Sequence, residues 1–209
     1  QIETHKGSNS FQTKEETLQW NPQQTAVIIC DMWDVHWCKG ATCRVGEMIP
    51  TMNAVLEEAR KQGALIIHAP SDTMQYYEGT PERKRAQEAP PAAPLARPTE
   101  NEKRWTRPAE PALPIDDSDG GCTEDPPCPM SSPWKREHPG LTIASTDAVT
   151  DSGEEVFNLC RARGITNLII MGVHTNMCVL GRTFSIRAMV GRGMNMVLMR
   201  DLTDTMYNP

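Results

Sequence analysis

The chain has 209 residues, of which 38% are hydrophobic and 23% charged, and its net charge is −6 at pH 7. This length suits an α/β domain with a substantial core, and we expect a single domain over residues 1–209. An acidic chain without clustered Lys and Arg argues against nucleic-acid binding. No apolar run approaches the roughly 18 residues that a membrane span needs, so a membrane protein is not expected.

Seven cysteines are present, and two pairs are close in sequence: Cys38 with Cys43, and Cys122 with Cys128. Two local disulfides would suit an exported protein, periplasmic or secreted, which we favour over a cytoplasmic one. The chain starts without Met and ends at Pro209 soon after a strand-like run. We therefore expect that the C-terminal part of the native protein is truncated here.

The first half of the chain begins with residues 1–20, which are polar and predict an N-terminal arm. Thr25–Asp31 is a continuous apolar run, typical of a strand buried on both faces. Helical spacing of apolar residues over Gly46–Gln62 predicts a helix that stops at Gly63. Ala64–Ala69 then predicts a second buried strand.

Residues 78–140 differ in composition, because they hold 13 of the 17 prolines. We interpret them as a proline-rich insertion or lid rather than a second domain. The acidic run Asp116–Asp119 has oxygen ligands that suit calcium, but a solvated turn is the simpler interpretation.

Regular patterns resume after the insertion. They predict a strand at Leu141–Ala144, a helix from Ser152 to Arg163 opened by a capping box, a strand at Asn167–Gly172, a helix at Cys178–Arg192 and a strand at Met194–Met199. This alternation predicts a three-layer α/β/α fold with a mostly parallel, Rossmann-like sheet. Reactive groups in such sheets lie beyond the carboxyl ends of the strands, where Asp31 and Cys178 are placed.

Cys178 and Asp31 are the residue types that nucleophilic catalysis needs. A thiol at the first turn of a helix lies beside backbone N–H groups, which favour the thiolate and can hold an oxyanion. A carboxylate at the end of a buried strand could act as its general base. The alternatives are a cysteine that only packs in the core and an aspartate that only anchors a loop.

Two motifs resemble the isochorismatase-like cysteine hydrolase superfamily, which includes nicotinamidases and N-carbamoylsarcosine amidases. The first is Val-Ile-Ile-Cys-Asp31, and the second is Met-Gly172-Val-His-Thr175-Asn-Met-Cys178-Val. The similarity covers about residues 22–77 and 134–209. It implies an Asp–Lys–Cys triad with Asp31 as the base and Cys178 as the nucleophile.

The resemblance also implies a cation and a set of oxyanion donors. Lys135 matches the spacing of the family's lysine, and Arg136 is its alternative. A cis peptide is implied between Val173 and His174. The oxyanion would then be held by the backbone N–H groups of Met177 and Cys178.

The family's nicotinamidases carry an Asp-x-His motif and a further His that bind a metal after the second strand. This chain lacks that pattern there, although Asp34, His36 and His68 are weak candidates for a divalent-metal site. We expect ordinary hydrogen bonding for them, no required cofactor, and a substrate other than nicotinamide. Aromatic and histidine side chains near Asp31 are candidates for a substrate pocket: Trp33, Trp37, Tyr76, Tyr77 and His174. The alternatives are that the tryptophans and tyrosines pack the lid onto the sheet, and that His174 lies on a surface loop.

The sequence therefore predicts a cysteine-dependent hydrolase of an amide-type C–N bond in a small molecule, acting through a thioester. One alternative is an isochorismatase-type hydrolase of a vinyl ether, which does not need a thiol. Another is a non-catalytic binding protein that kept the fold. The resemblance also implies assembly into homo-oligomers.

Overall fold

The computed structural model describes residues 2–3, 11–92 and 120–207. Its strands are β1 (Ile2–Glu3), β2 (Phe11–Gln12), β3 (Thr25–Cys30), β4 (Leu65–Ala69), β5 (Ala148–Val149), β6 (Asn167–Gly172) and β7 (Asn195–Thr203). Its helices are α1 (Lys39–Lys61), α2 (Met74–Tyr77), α3 (Pro81–Gln87), α4 (Gly153–Ala162), α5 (Cys178–Gly181) and α6 (Ile186–Gly191), with a 3-10 turn at Pro22–Gln24. None of these helices has the length and apolar character of a membrane span.

Strands β3 to β7 form one parallel sheet in the order β5–β4–β3–β6–β7. β3 is the central strand of the sheet, so each of its residues is buried, which matches its continuous apolar sequence. A separate antiparallel pair joins β1 to β2. The carboxyl ends of β4, β3 and β6 therefore meet at one edge of the sheet.

Alternate residues of β3 enter two different cores, one on each face of the sheet. Ile28 packs with α4 and α6 on one face. Ile29 packs with α1 on the other, against residues that include Met52 and Leu56. Helices thus cover both faces, and the predicted three-layer α/β/α fold with a parallel sheet is confirmed.

Two predicted elements differ from the structure. Helix α1 starts at Lys39, seven residues before Gly46, because the chain turns into the helix at Cys38, whose carbonyl accepts from the N–H of Thr42. The strand predicted at Leu141–Ala144 is wrong. The carboxylate of Asp147 accepts from the N–H of Ala144 at 2.7 Å and closes a turn, so the strand that pairs with β4 starts only at Ala148.

The single helix predicted at Cys178–Arg192 is also wrong, because the structure divides it into α5 and α6. Arg182 has extended backbone (φ −65°, ψ 159°), and α6 starts only after Ser185. The backbone of Thr183, in this break, lies so close to Gly153 that a Cβ on residue 153 would collide with the Thr183 carbonyl. The break positions the side chain of Arg182, as described below.

The start of the proline-rich segment packs on the sheet. Arg83 of α3 pairs with Glu155 of α4 and donates to the carbonyl of Val149 at 3.4 Å. Ala86 packs against Ala148 and Leu159. Residues 93–119, which include the acidic run Asp116–Asp119, lie outside the described residues.

Candidate active site

Asp31 follows β3 directly and is completely buried. Its backbone is left-handed (φ 49°), a conformation that non-glycine residues seldom adopt outside functional positions and turns. The backbone N–H of Ser71, which follows β4, donates to Oδ1 of Asp31 at 2.8 Å. The carboxylate is thus fixed by the ends of two neighbouring strands.

Cys178 lies beyond the next strand, β6, close enough to Asp31 that the charge of that carboxylate raises the pKa of the thiol. The two strands approach closely at this edge because Gly172, at the end of β6, has no side chain. Its φ is 110°, and a Cβ there would collide with the carbonyl oxygen of Cys30. The sheet therefore brings together the predicted base and the predicted nucleophile, 147 positions apart in sequence.

Arg182 is the positively charged side chain that contacts both of them. Its Nε donates to Oδ2 of Asp31 at 3.2 Å, and its Nη2 is 3.5 Å from Oδ2 of Asp72. It is also close enough to Cys178 that each side chain changes the pKa of the other. One guanidinium thus bridges two carboxylates beside the thiol.

Burial and charge have opposite effects on the pKa of Asp31 and of Arg182, whereas burial and the charge of Asp31 both raise the pKa of Cys178. Burial raises the pKa of Asp31, while Arg182 and the hydrogen bonds from Cys178 and Ser71 lower it in part. Burial is the main cause that raises the pKa of Cys178 to about 12, and the charge of Asp31 is the second. Burial acts to lower the pKa of Arg182, but the charges of Asp31, Cys178 and Asp72 outweigh it and raise that pKa. The resting site therefore holds a thiol rather than a free thiolate.

Lys135 and Arg136 occupy different positions from Arg182. Lys135 is exposed, and its backbone N–H donates to Oδ1 of Asp34 at 3.1 Å. The guanidinium of Arg136 donates to the hydroxyl of Tyr76 at 2.8 Å and lies over its ring. In the described part of the chain, it is Arg182 that pairs with Asp31, while the role of Lys135 stays a prediction.

The loop between Gly172 and Cys178 carries the predicted oxyanion region. The peptide bond between Val173 and His174 is cis, at the position where the resemblance implies one. The carbonyl of His174 accepts from the N–H groups of Met177 at 3.0 Å and Val179 at 3.2 Å. Because the N–H of Met177 is already engaged, the N–H of Cys178 is the better placed of the two predicted oxyanion donors.

Aromatic rings form a cluster next to this loop. Trp33 stacks on Trp134 with ring centroids 4.2 Å apart, and His36 stacks on the same Trp134 at 5.8 Å. His36 also contacts Trp37 and, edge to face, His174. Three of the predicted pocket residues, Trp33, Trp37 and His174, thus belong to one cluster.

Tyr76 and Tyr77 lie apart from that cluster and contact each other. Tyr76 is about half exposed beside Arg136. The hydroxyl of Tyr77 accepts from the backbone N–H of Glu137 at 2.8 Å. In this structure, the two tyrosines hold the segment around Glu137.

His174 is buried, and its Nε2 makes no hydrogen bond with any described residue. Burial, and then the charge of His36, lower the pKa of His174 to about 4. Burial and the charge of Arg44 lower the pKa of His36 to about 4 as well. Both rings are therefore neutral at pH 7 and offer a hydrogen-bonding nitrogen without a charge.

The three weak metal candidates are not brought together. Asp34 accepts from the backbone of Lys135, and Nδ1 of His36 accepts from the N–H of Cys38 at 3.1 Å. His68 is buried between Glu137, at 2.7 Å, and Asp147, at 3.1 Å. Among residues 11–92 and 120–207, no group of three or more His, Cys, Asp or Glu side chains forms a metal-binding cluster.

Sequence reasoning missed two residues of this site. Arg182 is four positions after Cys178, a spacing that places two residues on one face of a helix and could have drawn attention to it. Trp134 is next to Lys135 in sequence and could have been added to the aromatic set. Its stacking on Trp33, however, depends on the pairing of two segments about 100 residues apart, which no local pattern reveals.

At this site the partly exposed Cys178 lies beside the buried Asp31, beyond the carboxyl ends of two neighbouring strands of a parallel sheet. The family model described as Isochorismatase domain matches residues 125–208 of this chain. The resemblance inferred from the two motifs is thereby confirmed over that part of the sequence. The family match favours a hydrolase, and the architecture of the sheet agrees with it.

Solved structures with this architecture include a cysteine hydrolase from Pseudomonas syringae pv. phaseolicola 1448A. It is 18% identical over 92% of this chain and 79% of its own, with a TM-score of 0.52. An isochorismatase from Pseudomonas putida KT2440 is 16% identical over 90% of this chain and 74% of its own (TM-score 0.49). An isochorismatase family protein from Burkholderia thailandensis is 15% identical over 88% and 80%, respectively (TM-score 0.47). No curated protein sequence matches this chain.

Proposed function

We propose that this chain is a cysteine-dependent hydrolase that cleaves an amide-type C–N bond in a small molecule through a thioester on Cys178. The observation that carries the proposal is the position of the Cys178 thiol beside the buried carboxylate of Asp31, whose charge raises the pKa of that thiol. A carboxylate in contact with a thiol at the carboxyl edge of a parallel sheet is the arrangement that nucleophilic catalysis requires.

The proposed reaction begins when Asp31 takes the thiol proton as the sulfur of Cys178 attacks the carbonyl carbon. The raised pKa of the carboxyl makes Asp31 a stronger base than an ordinary aspartate. The backbone N–H of Cys178 donates to the oxyanion that forms. The C–N bond then breaks, and Asp31 gives its proton to the leaving nitrogen.

Water completes the cycle. Asp31 removes a proton from the water molecule that attacks the thioester, the C–S bond breaks, and the proton passes to the sulfur. The products are a carboxylic acid and ammonia or an amine. The chain returns to its starting state, with a thiol on Cys178 and a carboxylate on Asp31.

In this proposal Arg182 supplies the positive charge of the site. Its guanidinium contacts Asp31 and the thiol, so it stabilises the carboxylate that must accept the proton and the sulfur that becomes negative. The resemblance assigns this task to Lys135 instead. The two assignments predict different mutational effects, which are set out in the Discussion.

We place the substrate beside the cluster formed by Trp33, Trp37, Trp134, His36 and His174. The neutral, unpaired Nε2 of His174 gives this cluster a hydrogen-bonding group four residues before the nucleophile. Flat apolar rings and one uncharged polar atom suit an uncharged, planar group. An amide group has that character.

An ammonia-release screen over small primary amides and N-carbamoyl compounds tests the proposal. We expect the wild-type chain to release ammonia from at least one of them. Cys178→Ala and Asp31→Asn should each lower the rate on that compound by roughly 1,000-fold or more, since losing even one oxyanion donor typically costs 100-fold or more. Hydroxylamine added to the wild-type reaction should intercept the thioester and yield a hydroxamate.

Two results would contradict the amidase: no ammonia from any compound, or equal ammonia from wild type and Cys178→Ala. A vinyl-ether substrate assayed in parallel tests the isochorismatase-type alternative. Turnover of that substrate by Cys178→Ala would favour the alternative, because that chemistry needs no thiol. A chain that binds a small molecule but turns over neither class would be a binding protein.

A further inference from the structure

A second pair of reactive side chains lies outside the proposed active site. The sulfur atoms of Cys38 and Cys122 are 3.2 Å apart, and both residues are fully buried. They are 84 positions apart in sequence. A disulfide bond is about 2.05 Å long, so a movement of little more than about 1 Å would join the two sulfurs.

The surroundings hold both sulfurs in place. Cys38 caps the start of α1, and its backbone N–H donates to Nδ1 of His36 at 3.1 Å. The backbone N–H of Cys128 is directed at the sulfur of Cys122, at 3.5 Å. Both cysteines belong to a small apolar cluster with Ala41 and Met206.

We propose that Cys38 and Cys122 form a disulfide bond that joins the start of α1 to the loop at residues 120–128. This differs from the two local pairs that the sequence spacing suggests. Cys43 is exposed on α1, whereas Cys38 is buried against Cys122. The proposal does not depend on the proposed function, because it concerns thiols that the reaction does not use.

The loop that the bond would join to α1 also packs on a segment that supports the active-site loop. Gly121 lies so close to the backbone of Met206 that a Cβ there would collide with it. Met206 in turn exchanges two hydrogen bonds with the side chain of Asn176, at 2.9 and 3.1 Å. Asn176 is two residues before Cys178, so Met206 supports the loop that leads to the proposed nucleophile. Met206 also belongs to the same apolar cluster as Cys38 and Cys122.

A parallel set of contacts makes the same connection. Nε of Arg44 donates to Oδ2 of Asp204 at 2.7 Å, and its Nη1 is 3.4 Å from the hydroxyl of Thr123. The carbonyl of Asp204 accepts from both the backbone and the hydroxyl of Thr175. The loop at 120–128 is thus connected to the active-site loop on two routes, and a covalent bond from Cys122 to Cys38 would hold this loop against the start of α1, the helix that carries Arg44.

The chemistry is thiol–disulfide exchange with a small disulfide such as oxidised glutathione. The thiolate of one cysteine attacks the oxidant, and a mixed disulfide forms as one glutathione thiolate leaves. The second cysteine attacks that mixed disulfide and releases the second glutathione. The two protons of the cysteine thiols pass to the two glutathione molecules, and two electrons pass with them from the protein.

Because both sulfurs are buried, the experiment lets the bond form during folding. The chain is denatured and reduced, then refolded in a buffer of reduced and oxidised glutathione. Free thiols are blocked with iodoacetamide in denaturant, and proteolytic peptides are analysed by mass spectrometry without reduction. We expect a cross-linked peptide pair that contains Cys38 and Cys122, lighter by two hydrogen atoms than the two reduced peptides together.

Two cysteine variants and thermal unfolding test the assignment of the bond. The cross-link should persist in Cys43→Ser and disappear in Cys38→Ser. Thermal unfolding should show a midpoint about 5–10 °C higher for the oxidised wild type than for the reduced one, and no such difference for Cys38→Ser. Two results would overturn the proposal. One is alkylation of both Cys38 and Cys122 after refolding, and the other is a pair of links that join Cys38 to Cys43 and Cys122 to Cys128.

Discussion

In the proposed reaction, Asp31 accepts a proton in surroundings that disfavour its charge. Complete burial raises the pKa of its carboxyl, while Arg182 and the N–H of Ser71 hold it partly in the charged form. A carboxylate without these partners would be protonated and useless as a base, whereas one exposed to water would be too weak. The site balances the two effects at one side chain.

The cation of the site can be identified by mutating Arg182 and Lys135. We expect Arg182→Ala to lower kcat by about 100-fold, because both Asp31 and Cys178 lose their positive partner, and Arg182→Lys to restore part of that loss. Lys135→Ala should change kcat less than about threefold, because Asp31 pairs with Arg182, whereas Lys135 is exposed. Steady-state kinetics on the amide found in the screen measures both effects.

The pH profile separates an electrostatic role of Arg182 from a merely structural one. Arg182 lowers the pKa of Asp31, so its removal should raise that pKa and move the acidic limb of kcat/KM to higher pH. An unchanged acidic limb, or a larger loss of kcat in Lys135→Ala than in Arg182→Ala, would restore the assignment that the resemblance implies.

At the scale of secondary structure, the interruption between α5 and α6 places the cation. A continuous helix would fix the direction of Arg182 by the helical repeat alone. The extended backbone at Arg182 instead ends α5, and its side chain reaches back to Asp31. The N–H of Gly153 donates to Oγ1 of Thr183 at 3.0 Å, so the start of α4 holds the break.

The end of β6 is the second element that positions the site. Gly172→Ala should destabilise the chain by on the order of 3 kcal/mol, because alanine is strained at φ 110° and its Cβ would meet the carbonyl of Cys30. Gly46→Ala is the matched control. It lies inside α1 with open space around it, so we expect it to stabilise the chain by about 0.5–1 kcal/mol.

Urea unfolding monitored by circular dichroism measures both glycine variants. If Gly172→Ala proved as stable as Gly46→Ala, the close approach of β3 and β6 would not be a requirement of the fold. Activity of Gly172→Ala should also fall, because the separation of these strands sets the separation of Asp31 and Cys178.

At the scale of the whole molecule, one buried charge network ties distant segments together. His68 of β4 contacts Glu137 and Asp147, and Asp147 also pairs with Arg60 of α1 at 2.7 Å. Burial acts to lower the pKa of His68, but the charges and hydrogen bonds of Glu137 and Asp147 outweigh it and raise the pKa to about 9. The histidine is therefore charged at neutral pH in the folded chain.

This network predicts a pH dependence of stability. A raised histidine pKa contributes stability that is complete below the unfolded pKa of about 6.5 and is lost as the pH rises towards 9. Between pH 7 and 8 the free energy of unfolding should fall by about 1 kcal/mol from this residue. Buried thiols with raised pKa act in the same direction, so the wild type is compared with His68→Gln, in which the thiols are unchanged and the titrating histidine is gone.

Urea unfolding of both proteins at pH 7, 7.5 and 8 provides the measurement. The difference between their unfolding free energies should shrink by about 1 kcal/mol over this interval. A difference that stays constant with pH would mean that His68 is neutral in the folded chain.

Elements whose signal is local could be predicted from the sequence. The apolar runs at Thr25–Asp31 and Asn167–Gly172 marked two central strands, because strands buried on both faces need apolar residues throughout. The two motifs marked Asp31 and Cys178, since each comes directly after or just beyond such a strand. The parallel direction of the strands then follows, because strands joined through helices run in one direction.

Which side chains meet across the site depends instead on how the folded layers pack. Arg182 reaches Asp31 because a helix ends early, and that ending depends on contacts with Gly153 of another helix. Trp134 stacks on Trp33, and Cys38 meets Cys122, because segments about 100 and 84 positions apart are packed together. Periodicity and spacing report on neighbours along the chain, whereas these contacts depend on how the layers pack.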